Sequence, residues 1–244
     1  MLGVICVLGG RGLQRPGLER WAWPFYLAGV IDLVGVYPAS LFEGGWLAVG
    51  ISAIVAILLL AYAWLERSMF SEKDIFPILP YLGVGVVFIA HFFVMDVLGG
   101  QVIWDIWPGI TAGLCAVFTA LSWSLRGREA GEVYETPLRY AGLGLMVIPL
   151  VGSVTLFEPL LSAVTFAICG AVYLVEAGLR RITFLPYVAI GAIFIGHFYL
   201  LDVFDLLNTW DYEGLFVWPI FTAGLCVLFV VLSWLLRGKG RIQA

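Results

Sequence analysis

The chain has 244 residues, of which 62% are hydrophobic and only 12% are charged, and its mean hydropathy is +1.01. Soluble domains carry about 25% charged residues, so this composition excludes an ordinary soluble enzyme and a disordered linker. The net charge of −4 argues against a nucleic-acid partner, because phosphate binding requires a basic surface. The sequence therefore predicts a protein whose main surroundings are the lipid bilayer.

Continuous apolar segments run through the whole chain, each near the ~20 residues that a helix needs to cross a bilayer. A transmembrane β-barrel would show shorter strands in which apolar and polar residues alternate. The predicted fold class is therefore all-α, a polytopic membrane protein of about eight transmembrane helices. The predicted spans are residues 21–40, 46–65, 77–97, 107–125, 140–157, 159–177, 184–203 and 215–236.

The basic residues indicate the orientation of these spans. All 13 Lys and Arg residues lie before the first span, after the last span, or in alternate loops between them. Since Lys and Arg collect on the cytoplasmic side, both termini are predicted to be cytoplasmic, with the protein integral to the plasma membrane. The charged residues at the opposite ends of the spans and in the loops there are all acidic. They are Glu43, Asp96, Asp105, Glu158, Asp202, Asp205, Asp211 and Glu213.

The second half of the chain repeats motifs of the first half in the same order. His91-Phe92 recurs as His197-Phe198, and the run from Thr111 to Cys115 recurs from Thr222 to Cys226. Each repeat holds four predicted spans, so the two copies are expected to cross the membrane in the same sense. We expect the first four-helix repeat at 21–128, a cytoplasmic linker at 129–139 and the second repeat at 140–244.

Residues 1–20 resemble the end of an upstream repeat followed by a cytoplasmic linker. Arg11-Gly12 leading to Tyr26 parallels Arg126-Gly127 leading to Tyr140. This pattern predicts that the chain begins inside an older repeat and belongs to a longer array. Because stacked repeats bury one another's surfaces, we expect association with other membrane subunits or with a second copy.

The two histidines, His91 and His197, occupy the same place in the two repeats. An ionisable side chain inside lipid usually faces protein or water, which makes both histidines candidate functional residues. Three interpretations remain open at this point: a hydrogen bond between helices, ion or proton handling, and ligation of a haem or pigment.

Asp32 lies near the middle of the first predicted span, where the second repeat has Met146. An uncompensated charge there is costly, so we expect Asp32 to be paired, protonated or facing water. Counted from the outer boundary, Asp32, His91, Thr111 and Cys115 lie at similar depths. They form a candidate intramembrane polar site, in which an Asp32–His91 pair would exchange a proton or attract a cation.

The acids of the outer loops are a second candidate site, because carboxylates together with imidazole suit several divalent metals. His91 and Asp96 are about 140° apart on a helix, so their spacing does not predict a shared metal site. The metal assignment therefore stays open. The candidate outer-face acids are Asp96, Asp105, Asp202, Asp205, Asp211 and Glu213.

Small residues recur on one face of the third and seventh spans, at Gly83 and Ala90 and again at Ala189 and Gly196. Small residues allow helices to approach closely in lipid. Together with Thr111-Ala112-Gly113 and its copy, they predict that the third and fourth spans of each repeat pack tightly together.

The favoured function is a non-catalytic integral membrane subunit or scaffold, part of a longer repeat array or a larger membrane complex. The first alternative is an ion- or proton-coupled transporter that uses Asp32 and His91. The second is a haem- or pigment-binding membrane subunit that uses His91 and His197. Enzymatic activity is not expected, since the short loops leave few groups from which to assemble a catalytic site.

Overall fold

The computed structural model describes residues 2–13, 22, 24–25, 28–29, 32, 44–69, 78–156, 158–207 and 214–240. These residues form helices, and no β-strand occurs among them. The helices are α1 (Leu2–Gly12), α2 (Gly45–Met69), α3 (Ile78–Leu125), α4 (Glu132–Gly144), α5 (Val147–Leu156), α6 (Pro159–Arg180), α7 (Leu185–Val203) and α8 (Gly214–Gly240), with a short 3-10 turn at Glu129–Gly131.

Six helical stretches of the described residues are long and apolar enough to cross a membrane, in agreement with the predicted polytopic helical class. They correspond to the second to seventh predicted spans, and the shorter apolar stretch Trp218–Val231 lies within the eighth. Most of the first predicted span, 21–40, lies outside the described residues. The six stretches are Gly45–Leu65, Ile78–Gly99, Asp105–Leu125, Glu132–Thr155, Pro159–Arg180 and Leu185–Val203.

Helical backbone geometry runs from Ile78 to Leu125, but the chain reverses direction within α3. In a straight helix the 20 residues from His91 to Thr111 would span about 30 Å. The His91 Nε2 and Thr111 Oγ1 atoms are instead 3.0 Å apart. α3 is therefore a helical hairpin with a first arm, Ile78–Gly99, and a second arm, Asp105–Leu125.

The reversal of α3 is tight. At Gly99 a Cβ atom would collide with the side chain of Ile103 one turn later, so only glycine fits there. Pro108 lies in the first turn of the second arm, where the backbone amide has no partner within the helix. These two residues allow the third and fourth predicted spans to follow one another with almost no loop.

The chain divides into two compact units, Met1–Pro149 and Leu150–Ala244. In the first unit α2 packs against α3, and α3 also packs against α4. One face of α2 supplies buried apolar side chains to a core completed by the first arm of α3. These buried residues are Val55, Ala56, Leu59 and Ala63 of α2 with Leu79 and Val86 of α3.

α4 begins at Glu132, inside the segment 129–139 that the sequence predicted as a linker. Two acids in its first turn, Glu132 and Glu135, favour helix initiation because they compensate the positive end of the helix dipole. Glu132 forms an ion pair with Arg67 of α2, and the Tyr134 hydroxyl donates to the Leu60 carbonyl at 2.6 Å. These contacts fasten the start of α4 to α2.

In the second unit α6 packs closely against α7. The buried positions of α6 recur at the three- and four-residue spacing of a single helix face. α8 contacts α7 through aromatic pairs, with ring centroids 6.4 Å apart for Phe198 and Trp218 and 6.0 Å apart for Phe194 and Phe229. The buried residues of α6 are Ser162, Ala163, Thr165, Phe166, Cys169, Gly170, Val172, Tyr173, Glu176 and Ala177.

The small residues of the third and seventh spans meet different neighbours from those predicted. A Cβ atom on Gly83 would lie 2.7 Å from the side chain of Leu60 on α2. A Cβ atom on Gly196 would lie 3.0 Å from the Phe166 Cβ atom on α6. Gly83 and Gly196 therefore lie against the preceding helix, because helical spacing identifies a shared face but not the helix that covers it. The expected contact between the third and fourth spans is made by other residues, His91 with Thr111 in the first unit and His197 with Thr222 in the second.

Candidate functional site

The α3 hairpin brings His91 and Thr111 together in the first unit. The His91 Nδ1 atom contacts the Phe88 carbonyl, which can only accept, so Nδ1 carries the proton of a neutral imidazole. The Nε2 atom then accepts a hydrogen bond from the Thr111 hydroxyl at 3.0 Å. Both nitrogens of His91 are therefore used in contacts within the hairpin.

Aromatic rings fix the orientation of the His91 ring. Its centroid lies 4.8 Å from that of Phe88 and 4.0 Å from that of Phe92, both on the same arm of α3. Phe92 in turn lies 6.0 Å from Trp107 of the second arm. Two contacts therefore join the arms of the hairpin, the Phe92–Trp107 aromatic pair and the His91–Thr111 hydrogen bond. Their residues on the second arm are about one helical turn apart.

The second unit holds the corresponding pair with a different proton arrangement. The His197 Nε2 atom lies 3.1 Å from the Thr222 hydroxyl oxygen, across the contact of α7 with α8. Thr222 donates its only hydroxyl proton to the Trp218 carbonyl at 3.0 Å, so its oxygen accepts from His197. A neutral His197 therefore carries its proton on Nε2, the opposite tautomer to His91, and leaves Nδ1 as an acceptor.

The other residues of the predicted polar site have separate partners. The Asp32 carboxylate accepts a hydrogen bond at 2.6 Å from the amide of Gly3, in the first turn of α1. The amides of a first helical turn lack partners within the helix and attract an anion, which explains this contact. Cys115 is buried one turn beyond Thr111. The structure thus joins His91 to Thr111, whereas the contact made by Asp32 is with Gly3.

The outer-face acids do not form a metal centre in the part of the chain that is described. Asp96 and Asp105 are exposed near the two ends of the α3 reversal. Asp202 lies in the last turn of α7, and Asp205, just after the helix, adopts a left-handed conformation with φ 54°. Among the described residues no group of three His, Cys, Asp or Glu side chains is arranged to hold a metal ion. The remaining two acids, Asp211 and Glu213, lie outside the described residues.

The second arm of α3 presents a stripe of small residues to α4. This covered stripe is fully buried and consists of Ala112, Cys115, Thr119 and Ser122. A Cβ atom on Gly142 of α4 would lie 2.7 Å from the Cys115 carbonyl oxygen and would also collide with Thr119. The two helices therefore cross in close contact, with Gly142 at the crossing point.

The hydroxyl groups of the covered stripe are satisfied within their own helix. Thr119 donates to the Cys115 carbonyl at 3.0 Å, and Ser122 donates to the Thr119 carbonyl at 2.8 Å. Hydroxyl groups bonded in this way do not need a hydrogen-bond acceptor on a neighbouring helix. The stripe consequently presents an almost apolar surface for packing.

The same stretch of sequence in α8 is uncovered. Ala223 and Cys226, which match Ala112 and Cys115, are exposed, and Val230 at the position of Thr119 is 68% exposed. We call Ala223, Cys226 and Val230 the uncovered stripe. α8 contacts α7 from another side, through Thr222 and its aromatic neighbours. Other faces of α8 are exposed as well, including Val227 and Leu228.

Buried polar residues of the second unit were not singled out from the sequence. Glu176 is fully buried in α6 and forms an ion pair with Arg180 one turn later, with Oε1 and Nε 3.5 Å apart. The sequence feature that could have identified this pair is the four-residue spacing of Glu and Arg at the end of an apolar span. The buried hydroxyl oxygens of Ser153 and Thr165 have no hydrogen-bond partner among the described residues.

Comparison of the chain with protein-family models, with curated proteins and with solved structures found no match. Interpretation of the two His–Thr pairs and of the uncovered stripe therefore rests on their geometry.

Proposed function

We propose that the protein is a non-catalytic integral membrane subunit that acts by packing against other membrane helices. The observation that carries this proposal is the difference between the two stripes. Ala112 and Cys115 are completely buried, on the arm of α3 that packs against α4, whereas the matching Ala223 and Cys226 are exposed. Because small residues stabilise helix contacts in lipid by close van der Waals approach, the uncovered stripe suits a partner helix.

The His–Thr pairs support a structural role for both histidines. Hydrogen bonds between membrane helices contribute about 0.6–2 kcal/mol each to association, enough to hold a hairpin closed. Ligation of a haem or pigment by both histidines is disfavoured, because His91 has no nitrogen lone pair left. Transport through an Asp32–His91 pair gains no support, since the two side chains have different partners.

The architecture that we propose for this subunit has eight spans, arranged as two four-helix repeats of the same sense. Both termini lie on the cytoplasmic side of the plasma membrane. The charge asymmetry of the loops and the matched His–Thr pairs support this arrangement. It places Glu158, just before α6, on the outer side and Arg181, just after α6, on the cytoplasmic side.

Thiol labelling of intact cells tests this orientation. In a background without native cysteines, Glu158→Cys is expected to react with a membrane-impermeant maleimide. Arg181→Cys, which is also exposed, is expected to react only after the membrane is permeabilised. Labelling in the reverse order would overturn the proposed topology.

Association through the uncovered stripe is tested by the mass of the protein in a mild detergent. We expect the native chain to be part of an assembly heavier than the 26.8 kDa monomer. Cys226→Trp should dissociate that assembly, because a large ring at this position prevents close helix approach. The control is Leu228→Trp, which is similarly deep in α8 but about 160° around the helix. A monomeric native chain, or equal behaviour of the two variants, would contradict the proposal.

A further inference from the structure

We infer that the hairpin formed by α5 and α6 holds an ordered water molecule between the hydroxyl groups of Ser153 and Thr165. Both residues are fully buried, and neither hydroxyl oxygen has a hydrogen-bond partner among the described residues. Buried polar groups in proteins almost always bond either to protein or to an ordered water, because leaving them without a partner is costly. The inference is independent of the proposed role as a subunit, since both residues lie within the second unit.

A hydrogen bond between α5 and α6 brings the two hydroxyl groups into one region. The Ser162 hydroxyl, in the first turn of α6, donates to the Ser153 carbonyl, near the end of α5, at 2.9 Å. Thr165 follows Ser162 by three residues, which places it about 4.5 Å further along α6 and about 60° around it. Both unpartnered hydroxyls therefore lie within about one helical turn of this hydrogen bond. One water molecule reaches two oxygen atoms that are up to about 5.5 Å apart.

The hydroxyl groups of Ser153 and Thr165 differ from other helical hydroxyls of the described residues. In apolar helices Ser and Thr commonly donate to a carbonyl three or four residues earlier. The hydroxyls that do so here are those of Thr119, Ser122, Ser124, Thr155 and Thr222. Ser153 and Thr165 also have carbonyl groups three and four residues earlier in their own helices, so their different orientation points to a partner elsewhere.

The chemistry of this region favours water over a metal cation. A water molecule both donates and accepts, so it pairs with two hydroxyl groups whatever the positions of their protons. Residues next to the cluster in sequence are small and apolar, with Gly152 and Ala163 both buried. A cation at this depth would need a compensating carboxylate. Glu158 is the acid nearest in sequence, and it is exposed.

A double-mutant cycle tests whether the two hydroxyls share one water. Thr165→Val and Ser153→Ala should each lower the equilibrium constant for folding in mixed micelles about fivefold, because each removes one hydrogen bond to the water. The double variant should be no more than about twofold below the less stable single variant, because either substitution already releases the water. The control combines Thr165→Val with Thr155→Val, whose hydroxyl bonds to the Gly152 carbonyl of its own helix; these two effects should multiply.

Solid-state NMR detects the water directly in the native chain. In bilayers containing protein with ¹³C-labelled threonine, magnetisation transferred from water should reach the Thr165 methyl group, with the signal assigned by its loss in Thr165→Val. Ser153→Ala should abolish the transfer to Thr165. Thr119 is equally buried but bonded within α3, so its methyl group should receive none in either protein.

Three results would overturn the inference. The first is an unchanged or higher stability of Thr165→Val, because removing a hydroxyl that has no partner is favourable. The second is a pair of effects of Ser153→Ala and Thr165→Val that multiply, or equal transfer of magnetisation to Thr165 and Thr119. The third is a folding equilibrium that rises with Na⁺ but not with choline and loses this dependence in Thr165→Val, which would assign the cluster to a cation.

Discussion

The second arm of α3 and α8 share a run of sequence but differ in their surroundings. Thr111 and Thr222 both contact a histidine on the preceding span, so the hairpin contact is made in each unit. Cys115 is buried under α4, whereas Cys226 is exposed. The common sequence specifies the contact inside each hairpin, and burial of the adjacent stripe depends on contact with a further helix, which α4 provides in the first unit.

A second difference between the units concerns the crossing of neighbouring spans. Gly83 of α3 lies against Leu60 of α2. At the corresponding crossing in the second unit, Ala189 replaces Gly83, and glycine occurs instead on the facing helix as Gly170. The close approach is made in both units, although the glycine that permits it is on opposite helices.

The largest expected effect separates Gly142, which lies against the covered stripe, from Ala223 in the uncovered stripe. Gly142→Leu should lower the free energy of unfolding by about 3 kcal/mol, because the new side chain collides with the backbone at Cys115. Ala223→Leu should change the free energy of unfolding of the detergent-solubilised monomer by less than about 0.5 kcal/mol, because Ala223 is exposed. Unfolding in mixed micelles, followed by tryptophan fluorescence, measures both. Equal effects of the two substitutions would show that the crossing at Gly142 is not the close contact described.

The continuous apolar runs of the sequence correctly predicted long apolar helices at the second to seventh predicted spans, since a span needs about 20 apolar residues regardless of its neighbours. Counting residues from the outer boundary of each predicted span also predicted that His91 and Thr111 lie at a similar depth, and the structure places them in contact. The partner of Gly83 was not predictable, because an apolar helix in lipid presents similar surfaces to several possible neighbours. For the same reason the partner of Asp32 was missed: the contact with Gly3 depends on where α1 packs, which residue spacing does not encode.

The next effect compares the two glycine crossings. Gly83→Ala should lower the free energy of unfolding by about 1 kcal/mol, because its new methyl group collides with the Leu60 side chain, which has other rotamers, and makes only an ordinary contact with Leu59. Gly170→Ala should cost about 2 kcal/mol, because its methyl group meets Ile193 at 2.5 Å and the Ala189 carbonyl at 3.1 Å. The same unfolding assay measures both.

Double substitutions provide the control for this pair. Leu60→Ala should remove most of the additional cost of Gly83→Ala, since it deletes the atoms that collide. Ile193→Ala should remove only part of the additional loss of stability caused by Gly170→Ala, because the Ala189 backbone stays in place. Additive effects of Leu60→Ala and Gly83→Ala would mean that the two residues are not in contact.

A smaller difference is expected between the two threonines. Thr111→Val leaves the Nε2 atom of His91 without its donor inside the buried hairpin and should cost about 1 kcal/mol. Thr222→Val should cost about half as much, because α8 is more exposed and membrane hydrogen bonds average about 0.6 kcal/mol. Thr119→Val, whose hydroxyl bonds only within its own helix, is the control and should cost less than Thr111→Val. A larger loss for Thr222 than for Thr111 would reverse the proposed ranking of the two sites.

The smallest expected difference is not one of stability. It concerns which ring nitrogen carries the proton in each neutral histidine. In the neutral state His91 should be protonated on Nδ1, because the Phe88 carbonyl accepts there, and His197 on Nε2, because Thr222 has already given its proton to Trp218. Nitrogen NMR of ¹⁵N-labelled histidine distinguishes the two tautomers, and the two signals are assigned with the single variants His91→Gln and His197→Gln.

Thr222→Val should convert His197 to a mixture of tautomers, because it removes the acceptor of the Nε2 proton. Thr111→Val should leave His91 protonated on Nδ1, because the Phe88 carbonyl is still present. Identical tautomers for both histidines would mean that the duplicated pairs share one hydrogen-bond pattern, and the difference between the units would then be confined to helix packing.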